Sequence, residues 1–187
     1  MVVKPSRAVE IQRKYYTDSA ARYDCMHEQE GANDPSITRF VHAFLRMLQA
    51  RSVLDVGAAT GRGTSDLKRA LPDLFVCGVE PVAALVEQAV KDGNASYVSM
   101  ICATGEALPF ADASFDAVCE FATLHHAANP NAVVKEMLRV ARKAVFLCDS
   151  NRFGQGSQAA RLLKLFLSKS KLWGVYKIGR ASCRERV

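Results

Sequence analysis

Residues 52–61, SVLDVGAATG, join a short apolar run to a glycine-rich turn, and this stretch decides the fold. Ser52–Val56 has the length and apolar character of a buried strand, and Gly57 and Gly61 flank a sharp turn of the backbone. A helical pattern begins directly afterwards, at Arg62. A strand, a glycine turn and a helix in succession are typical of parallel sheets that bind ligands beyond the carboxyl ends of their strands.

Outward from this turn, short apolar runs alternate with helical patterns. The predicted strands are Ser52–Val56, Leu74–Val79, Tyr97–Cys102, Phe115–Phe121 and Ala144–Cys148, and the predicted helices between them are Arg62–Leu71, Val82–Lys91 and Asn131–Ala141. Strands that alternate with helices indicate βαβ units, and continuously apolar strands indicate a sheet covered on both faces. The pattern therefore predicts a three-layer α/β sandwich around a mostly parallel sheet.

Residues 1–50 have the pattern of a helical cap that precedes this domain. Within the cap, Ile37–Leu48 places its apolar residues on one stripe, and Ser36 is the predicted N-cap. We expect this helix to pack beside the first strand.

Composition narrows the class of protein. A length of 187 residues with 49% hydrophobic residues suits one globular domain, and no apolar run is long enough for a transmembrane helix. The six cysteines are scattered without a C-x-x-C pair, which predicts a reduced, cytoplasmic protein with neither a disulfide framework nor a metal site. The net charge of +6 comes mainly from residues 161–186, which favours solvated charge over a nucleic-acid interface.

Glu80, followed by Pro81, lies at the end of the second predicted strand. A carboxylate there can accept two hydrogen bonds from a ribose diol, or it can serve as an acid at the start of the next helix. The nearby glycine turn favours the ribose role. The spacing of Gly57, Gly61 and Gly63 does not fit the G-x-G-x-x-G fingerprint of a nicotinamide dehydrogenase.

Together these motifs resemble the class I, Rossmann-like S-adenosylmethionine-dependent methyltransferases, in their branch of small stand-alone enzymes. The matching segments are Val53–Gly61 for the first motif, Glu80-Pro81 for the ribose-binding acid, Ala103–Asp116 for the adenine side, Cys119–His126 for the loop by the methionine group and Glu136–Val140 for the helix before the fifth strand. The resemblance implies a methyltransferase domain over residues 51–177, with strand order 3-2-1-4-5. It also implies a closing C-terminal β-hairpin, whose strands we do not find here.

The resemblance implies S-adenosyl-L-methionine as the cofactor. The residues implied to bind it are Tyr16, Tyr23, Asp55, Gly57, Ala58, Ala59, Gly61, Glu80, Pro81, Thr104, Gly105, Glu106 and Glu120. Two positions depart from the family pattern, because Ala59 replaces its middle glycine and Thr104 replaces the aspartate that accepts from the adenine amino group. We therefore expect the backbone of Gly105 and Glu106 to carry more of the adenine recognition.

The implied reaction is in-line transfer of the methyl group to a small-molecule acceptor. His125 or His126 is the candidate general base where the acceptor must lose a proton, and the alternative is that this pair is structural. The alternative function is a regulatory or partner module that binds the cofactor without turnover. No motif names the acceptor.

The C-terminal residues carry two further expectations. The pattern of residues 157–173 predicts an amphipathic helix with a basic face. The alternatives for this helix are a lid over the acceptor pocket, a weak membrane-surface helix and, as we favour, an ordinary helix with its apolar stripe in the core. Residues 178–187, IGRASCRERV, resemble a translated sequencing adapter, so we expect them not to belong to the fold. We expect the natural chain to differ beyond Lys177.

Overall fold

A computed structural model of the protein describes residues 7–29 and 35–149, together with Leu162. The chain divides into two compact units, Met1–Cys148 and Asp149–Val187. Apart from Leu162, the predicted helix 157–173 and the adapter-like residues 178–187 lie outside the described residues, so the expectations for them stay predictions.

Five parallel strands form one sheet in the order β3-β2-β1-β4-β5. The strands are β1 Ser52–Val56, β2 Phe75–Glu80, β3 Ser99–Cys102, β4 Phe115–Phe121 and β5 Ala141–Cys148. The α/β class, the parallel sheet and the strand order are therefore as predicted. Since β1 lies in the centre, its carboxyl end and those of β2 and β4 are neighbours.

Helices cover both faces of this sheet. They are α1 Arg7–Ser19, α2 Tyr23–Gln29, α3 Pro35–Met47, α4 Arg62–Ala70, α5 Ala83–Lys91 and α6 Pro130–Val140. Successive residues of a strand point to opposite faces, and Val53 and Leu54 accordingly belong to two different core clusters. Val41 and Leu45 of α3 share the cluster of Val53, which confirms that this helix packs beside the first strand.

Several element boundaries differ from the predictions by one to three residues, and those of α3 and β5 have a clear physical reason. Helix α3 already begins at Pro35, so Ser36 lies inside its first turn and is not the N-cap, which agrees with the preference of proline for a helix start. Ala141, predicted as the end of a helix, is the first residue of β5 and pairs with Phe115 of β4. Pairing with β4 thus outweighs the weak local preference of the polar residues that follow Ala141.

Asp116 holds the amino ends of the strands together. Its carboxylate accepts hydrogen bonds from the Arg51 backbone N–H at 2.8 Å and from the Arg142 guanidinium at 2.9 Å, and Lys143 lies 3.5 Å away. These donors lower the pKa of Asp116, with the Arg51 hydrogen bond the main cause. This end of the sheet is therefore a structural anchor on the side opposite the glycine turn.

Within residues 7–29 and 35–149, no helix is long and apolar enough to cross a membrane. No disulfide joins the cysteines in these ranges to one another, and they are Cys25, Cys77, Cys102, Cys119 and Cys148. The same ranges contain no cluster of side chains that could hold a metal ion. Cellular location stays a prediction.

Candidate cofactor and active site

In the glycine turn after β1, every second residue is left-handed. Gly57, Ala59 and Gly61 have φ angles of 86°, 49° and 70°. The N–H groups of Gly57 and Ala58 donate to the carbonyl oxygen of Val79 at 2.8 and 3.1 Å, which fixes the turn against β2. Ala59 keeps the left-handed conformation of the glycine it replaces, although a side chain disfavours that conformation.

Gly57 also allows a close approach from the loop after β4. A Cβ atom at Gly57 would lie 2.2 Å from Oγ1 and 2.4 Å from Cγ2 of Thr123. Thr123 itself is held by a hydrogen bond from its hydroxyl to the Phe121 carbonyl oxygen at 3.2 Å. The two loops beyond β1 and β4 are therefore in direct contact, and a glycine is required at this point.

Glu80 ends β2 with a buried carboxylate beside the turn. Its Oε2 accepts from the Ala59 N–H at 3.1 Å, and its Oε1 accepts from the Val82 N–H at 2.9 Å. Burial raises the pKa of Glu80 to about 7, partly opposed by these two hydrogen bonds. Each carboxylate oxygen offers two acceptor positions, so both oxygens can accept one more donor.

Two further buried acids lie at the same edge of the sheet. Asp55 of β1 accepts from the Thr64 hydroxyl at 2.9 Å, and burial raises its pKa to about 6. Glu120 of β4 has no exposed surface and accepts from the backbone N–H groups of Thr123 and Leu124. Three neighbouring strands thus each bring a carboxyl group to one edge, which forms an acidic environment suited to a cationic or hydroxyl-rich ligand.

The N-terminal helices pack over this edge. Tyr16 and Tyr23 contact a small apolar cluster of Ala20, Val82 and Leu85, which Ala59 of the glycine turn also joins. The pKa of Tyr23 is raised by burial, with smaller contributions from the neighbouring Tyr16, Glu80 and Asp24. The cap and the turn are therefore one packed unit.

Two polar contacts connect the cap to the loops of the sheet. The Thr60 hydroxyl in the glycine turn donates to Asp24 of α2 at 2.6 Å. The Tyr16 hydroxyl lies 3.2 Å from Nε2 of His126, and the two rings meet edge to face. Both contacts join residues far apart in the chain.

His125 and His126 belong to a single 3₁₀ turn, Leu124–His126, directly after the β4 loop. Their ring centroids are 3.9 Å apart. His126 contacts Tyr16 and so faces the cap. The structure therefore places the histidine pair near the carboxyl edge, where the sequence predicted it.

The loop after β3 holds the predicted adenine-side residues. A Cβ atom at Gly105 would lie 3.0 Å from Val56 and 3.1 Å from Val133, so the loop passes tightly between β1 and α6. Glu106 accepts from the Ala128 N–H at 3.1 Å, and the Thr104 carbonyl oxygen accepts from the Ala107 N–H at 3.2 Å. Glu106 thus binds a neighbouring loop through its side chain.

Several residues that shape the site were given no role of their own from the sequence. Asp24 and Thr123 contact the turn, and Glu136 and Arg139 of α6 bind the loop after β3. The spacing of Glu136 and Arg139 matches an ion pair on one helix face, but no local pattern indicates which loop they reach. Pro81 directly follows Glu80 and is half-buried.

The fold and the residues at the carboxyl edge of the sheet together define a class of protein. A parallel sheet of order 3-2-1-4-5, a glycine turn after β1 and an acid at the end of β2 together define the Rossmann-like α/β class. Residues 54–148 match the family described as "Methyltransferase domain", which covers half of the chain. The chain belongs to this family and has the class I methyltransferase fold.

Individual relatives agree with this assignment. A demethylmenaquinone methyltransferase from Roseiflexus sp. (strain RS-1) is 35% identical over 94 residues, covering 48% of this chain and 37% of the relative. A solved putative methyltransferase from an antibiotic biosynthesis pathway of Anabaena variabilis has a TM-score of 0.53 at 28% identity, covering 73% of this chain and 53% of that one. The chain thus spans well under two thirds of the length of these proteins.

A further solved structure matches a larger share of this chain than the Anabaena protein does. A methyltransferase from Thermotoga maritima, described as a possible histamine N-methyltransferase, has a TM-score of 0.55 at 23% identity, covering 87% of this chain and 70% of that one. At this identity, the likeness concerns the fold alone.

Proposed function

We propose that the protein binds S-adenosyl-L-methionine at the carboxyl edge of the sheet and transfers its methyl group to a small-molecule acceptor by in-line displacement. The observation that carries this proposal is the Glu80 carboxylate, which two backbone N–H groups hold beside the glycine turn. Both of its oxygens retain an acceptor position for the ribose hydroxyls. The residues present therefore fit the cofactor.

Other residues around the edge have complementary roles in this proposal. The main chain of Gly57–Gly61 comes close to the ligand because two of its left-handed residues lack a side chain. Glu120, buried at the end of β4, faces the methionine end, and its charge favours an ammonium group there. Tyr16 and Tyr23 of the cap exclude water from the opposite side.

The cofactor supplies an activated methyl group and a good leaving group. The protein then contributes position, since holding the acceptor atom in line with the methyl group accounts for much of the rate. Where the acceptor loses a proton, His126 is the proposed base, with Tyr16 beside its Nε2 atom. Proteins similar to this chain include, by name, a demethylmenaquinone methyltransferase and a sugar N-methyltransferase from Streptoalloteichus, so the acceptor is proposed only as a small molecule.

Calorimetric titration with S-adenosyl-L-methionine tests the binding step. We expect Glu80→Gln to weaken binding by about 10- to 100-fold, because hydrogen bonds to a charged group contribute about 1.5–3 kcal/mol. Glu87→Gln is the matched control, since Glu87 is an exposed acid on α5 and should leave binding unchanged. A folded wild-type chain that does not bind the cofactor would refute the proposal.

A second function, binding without turnover, is favoured by one contact. The Tyr16 hydroxyl already engages Nε2 of His126, so the candidate base has a partner other than a substrate. A labelled-methyl assay against a metabolite extract separates the two functions. Transfer of label to a small molecule supports the enzyme, and cofactor binding without any transfer supports the module.

A further inference from the structure

Arg139 of α6 binds the loop after β3 at alternate residues. Its Nη1 donates to the Phe110 carbonyl oxygen and to the Asp112 carboxylate, both at 2.8 Å, and its Nη2 donates to the Leu108 carbonyl oxygen at 3.1 Å. A planar guanidinium presents its donors in a fixed arrangement, so these contacts define the position of the bound backbone as well as attract it. Arg139 thus holds three residues of one loop at once.

Glu136 completes the same arrangement from the preceding turn of α6. Its Oε2 accepts from the Leu108 N–H at 2.9 Å, and its two oxygens accept from Nε and Nη2 of Arg139 at 2.8 and 2.7 Å. The backbone N–H and carbonyl of Leu108 are therefore both bound by side chains of α6. Arg139 also lowers the pKa of Glu136, which keeps the pair charged.

The loop forms few other hydrogen bonds to the rest of the fold, although Leu108 also packs in the core. Among the described residues, every hydrogen bond from positions 104–112 to another element involves the side chain of Glu106, Glu136 or Arg139. Its remaining backbone hydrogen bonds, Ala107 N–H to Thr104 and Phe110 N–H to Leu108, stay inside the loop. Most of the hydrogen bonds that position this loop therefore come from α6, in addition to the core packing of Leu108.

We propose that Glu136 and Arg139 are positioning residues for cofactor selection, because they set the place at which the backbone of residues 104–106 meets the adenine ring. This inference rests on the proposed function. A threonine at position 104 offers a weaker acceptor than a carboxylate, so recognition of the base depends on backbone groups. Backbone groups discriminate only when their position is fixed to within a few tenths of an ångström.

Hydrogen exchange on the ligand-free 187-residue chain tests the structural half of this inference. We expect Arg139→Gln and Glu136→Gln to speed the exchange of amides in residues 104–112 at least tenfold, while amides of β1 exchange as in the wild type. Arg69→Gln is the matched control, because Arg69 forms an exposed ion pair with Asp66 within α4, away from α6. Unchanged exchange in residues 104–112 would overturn the inference.

Ligand discrimination tests the functional half. Calorimetry with S-adenosylhomocysteine and S-inosylhomocysteine, which differ only in the adenine amino group and the adjacent ring nitrogen, measures selectivity for the base. We expect a wild-type preference of about tenfold or more for the adenine compound to shrink to twofold or less in both variants, and Arg69→Gln to keep it. If Glu136 and Arg139 had a merely structural role, the substitutions would weaken the binding of both ligands alike and leave the ratio of the two affinities unchanged.

A conservative variant covers the case in which a glutamine variant fails to fold. Arg139→Lys keeps the charge but cannot present the same set of donors, so we expect a stable chain with reduced discrimination. A wild-type ratio in Arg139→Lys, or a wild-type chain that binds both ligands equally, would overturn the inference. A folded wild-type chain that binds neither ligand refutes the proposed function itself, and the inference falls with it.

Discussion

Replacing Gly57 by alanine adds a methyl group where the loops after β1 and β4 meet. That Cβ atom would lie 2.2 Å from Oγ1, 2.4 Å from Cγ2 and 2.7 Å from Cβ of Thr123. All three distances are far inside the 3.5–4.0 Å at which nonbonded atoms pack best. The φ angle of 86° adds a second penalty, because side chains disfavour the left-handed region.

The two penalties set the expected loss of stability. The left-handed conformation costs about 1–2 kcal/mol for a residue with a side chain, and overpacking costs about 1–3 kcal/mol. We expect Gly57→Ala to lower the free energy of unfolding by roughly 2–5 kcal/mol. Gly63→Ala is the matched control: Gly63 lies in α4 with open space around it, so alanine should stabilise by about 0.5–1 kcal/mol.

Urea unfolding measures these changes, with an unchanged m-value as the sign that only stability has moved. Adding Thr123→Gly removes the three clashing atoms, so the double variant should recover the steric share of about 1–3 kcal/mol and keep the left-handed share. A Gly57→Ala variant within about 0.5 kcal/mol of the wild type, or additive effects of the two substitutions, would refute the predicted clash.

Three further predictions concern separate parts of the molecule. Ala59→Gly and Ala113→Gly each remove the side chain of a left-handed alanine, with φ angles of 49° and 48°. In urea unfolding we expect a smaller increase in the free energy of unfolding from Ala59→Gly, because the Ala59 methyl group packs against the cap. Cofactor affinity, measured by calorimetry from pH 5.5 to 8.5, should be constant above pH 7 and fall by up to about tenfold per pH unit below it, because the bound ligand favours the ionised form of Glu80, whose pKa is raised to about 7. The Glu80→Gln variant should show no dependence of affinity on pH. A wild-type affinity that does not change with pH would contradict the assignment of Glu80 to the cofactor site. Asp116→Asn should lower the free energy of unfolding by about 1–3 kcal/mol in urea titrations at neutral pH. The difference in stability between variant and wild type should shrink in acid, as the pH falls through the lowered pKa of Asp116 and the wild-type carboxyl becomes protonated. A difference in stability that does not depend on pH would exclude the ionic contribution.

The sequence predicted the sheet because its evidence is local. Each strand is a short apolar run, and the turn at Gly57–Gly61 places β1 beside the site. The element ends were less predictable, since Ala141 joins β5 only through pairing with Phe115, which lies on another strand.

The site could be predicted only in part for the same reason. The position of Glu80 beside the glycine turn can be predicted, because a strand end is visible in the sequence. The contact between Tyr16 and His126 joins positions 110 residues apart, and no local pattern pairs them. The left-handed angle of Ala122, 54°, was equally hidden, because alanine carries no preference that would indicate it.

The buried acids at the carboxyl edge make the stability of the chain depend on pH, and on the proposed function bound cofactor stabilises it as well. Because burial raises the pKa values of Asp55 and Glu80 to about 6 and 7, their contribution to stability is present in acid and is lost as the pH rises through those values. The ligand-free chain therefore lacks this contribution at neutral pH, and, on the proposed function, a hundredfold excess of cofactor over its dissociation constant stabilises the chain by about 2.7 kcal/mol. A cell depleted of methyl donor would then degrade this protein faster, so its abundance would report the cell's nutritional state.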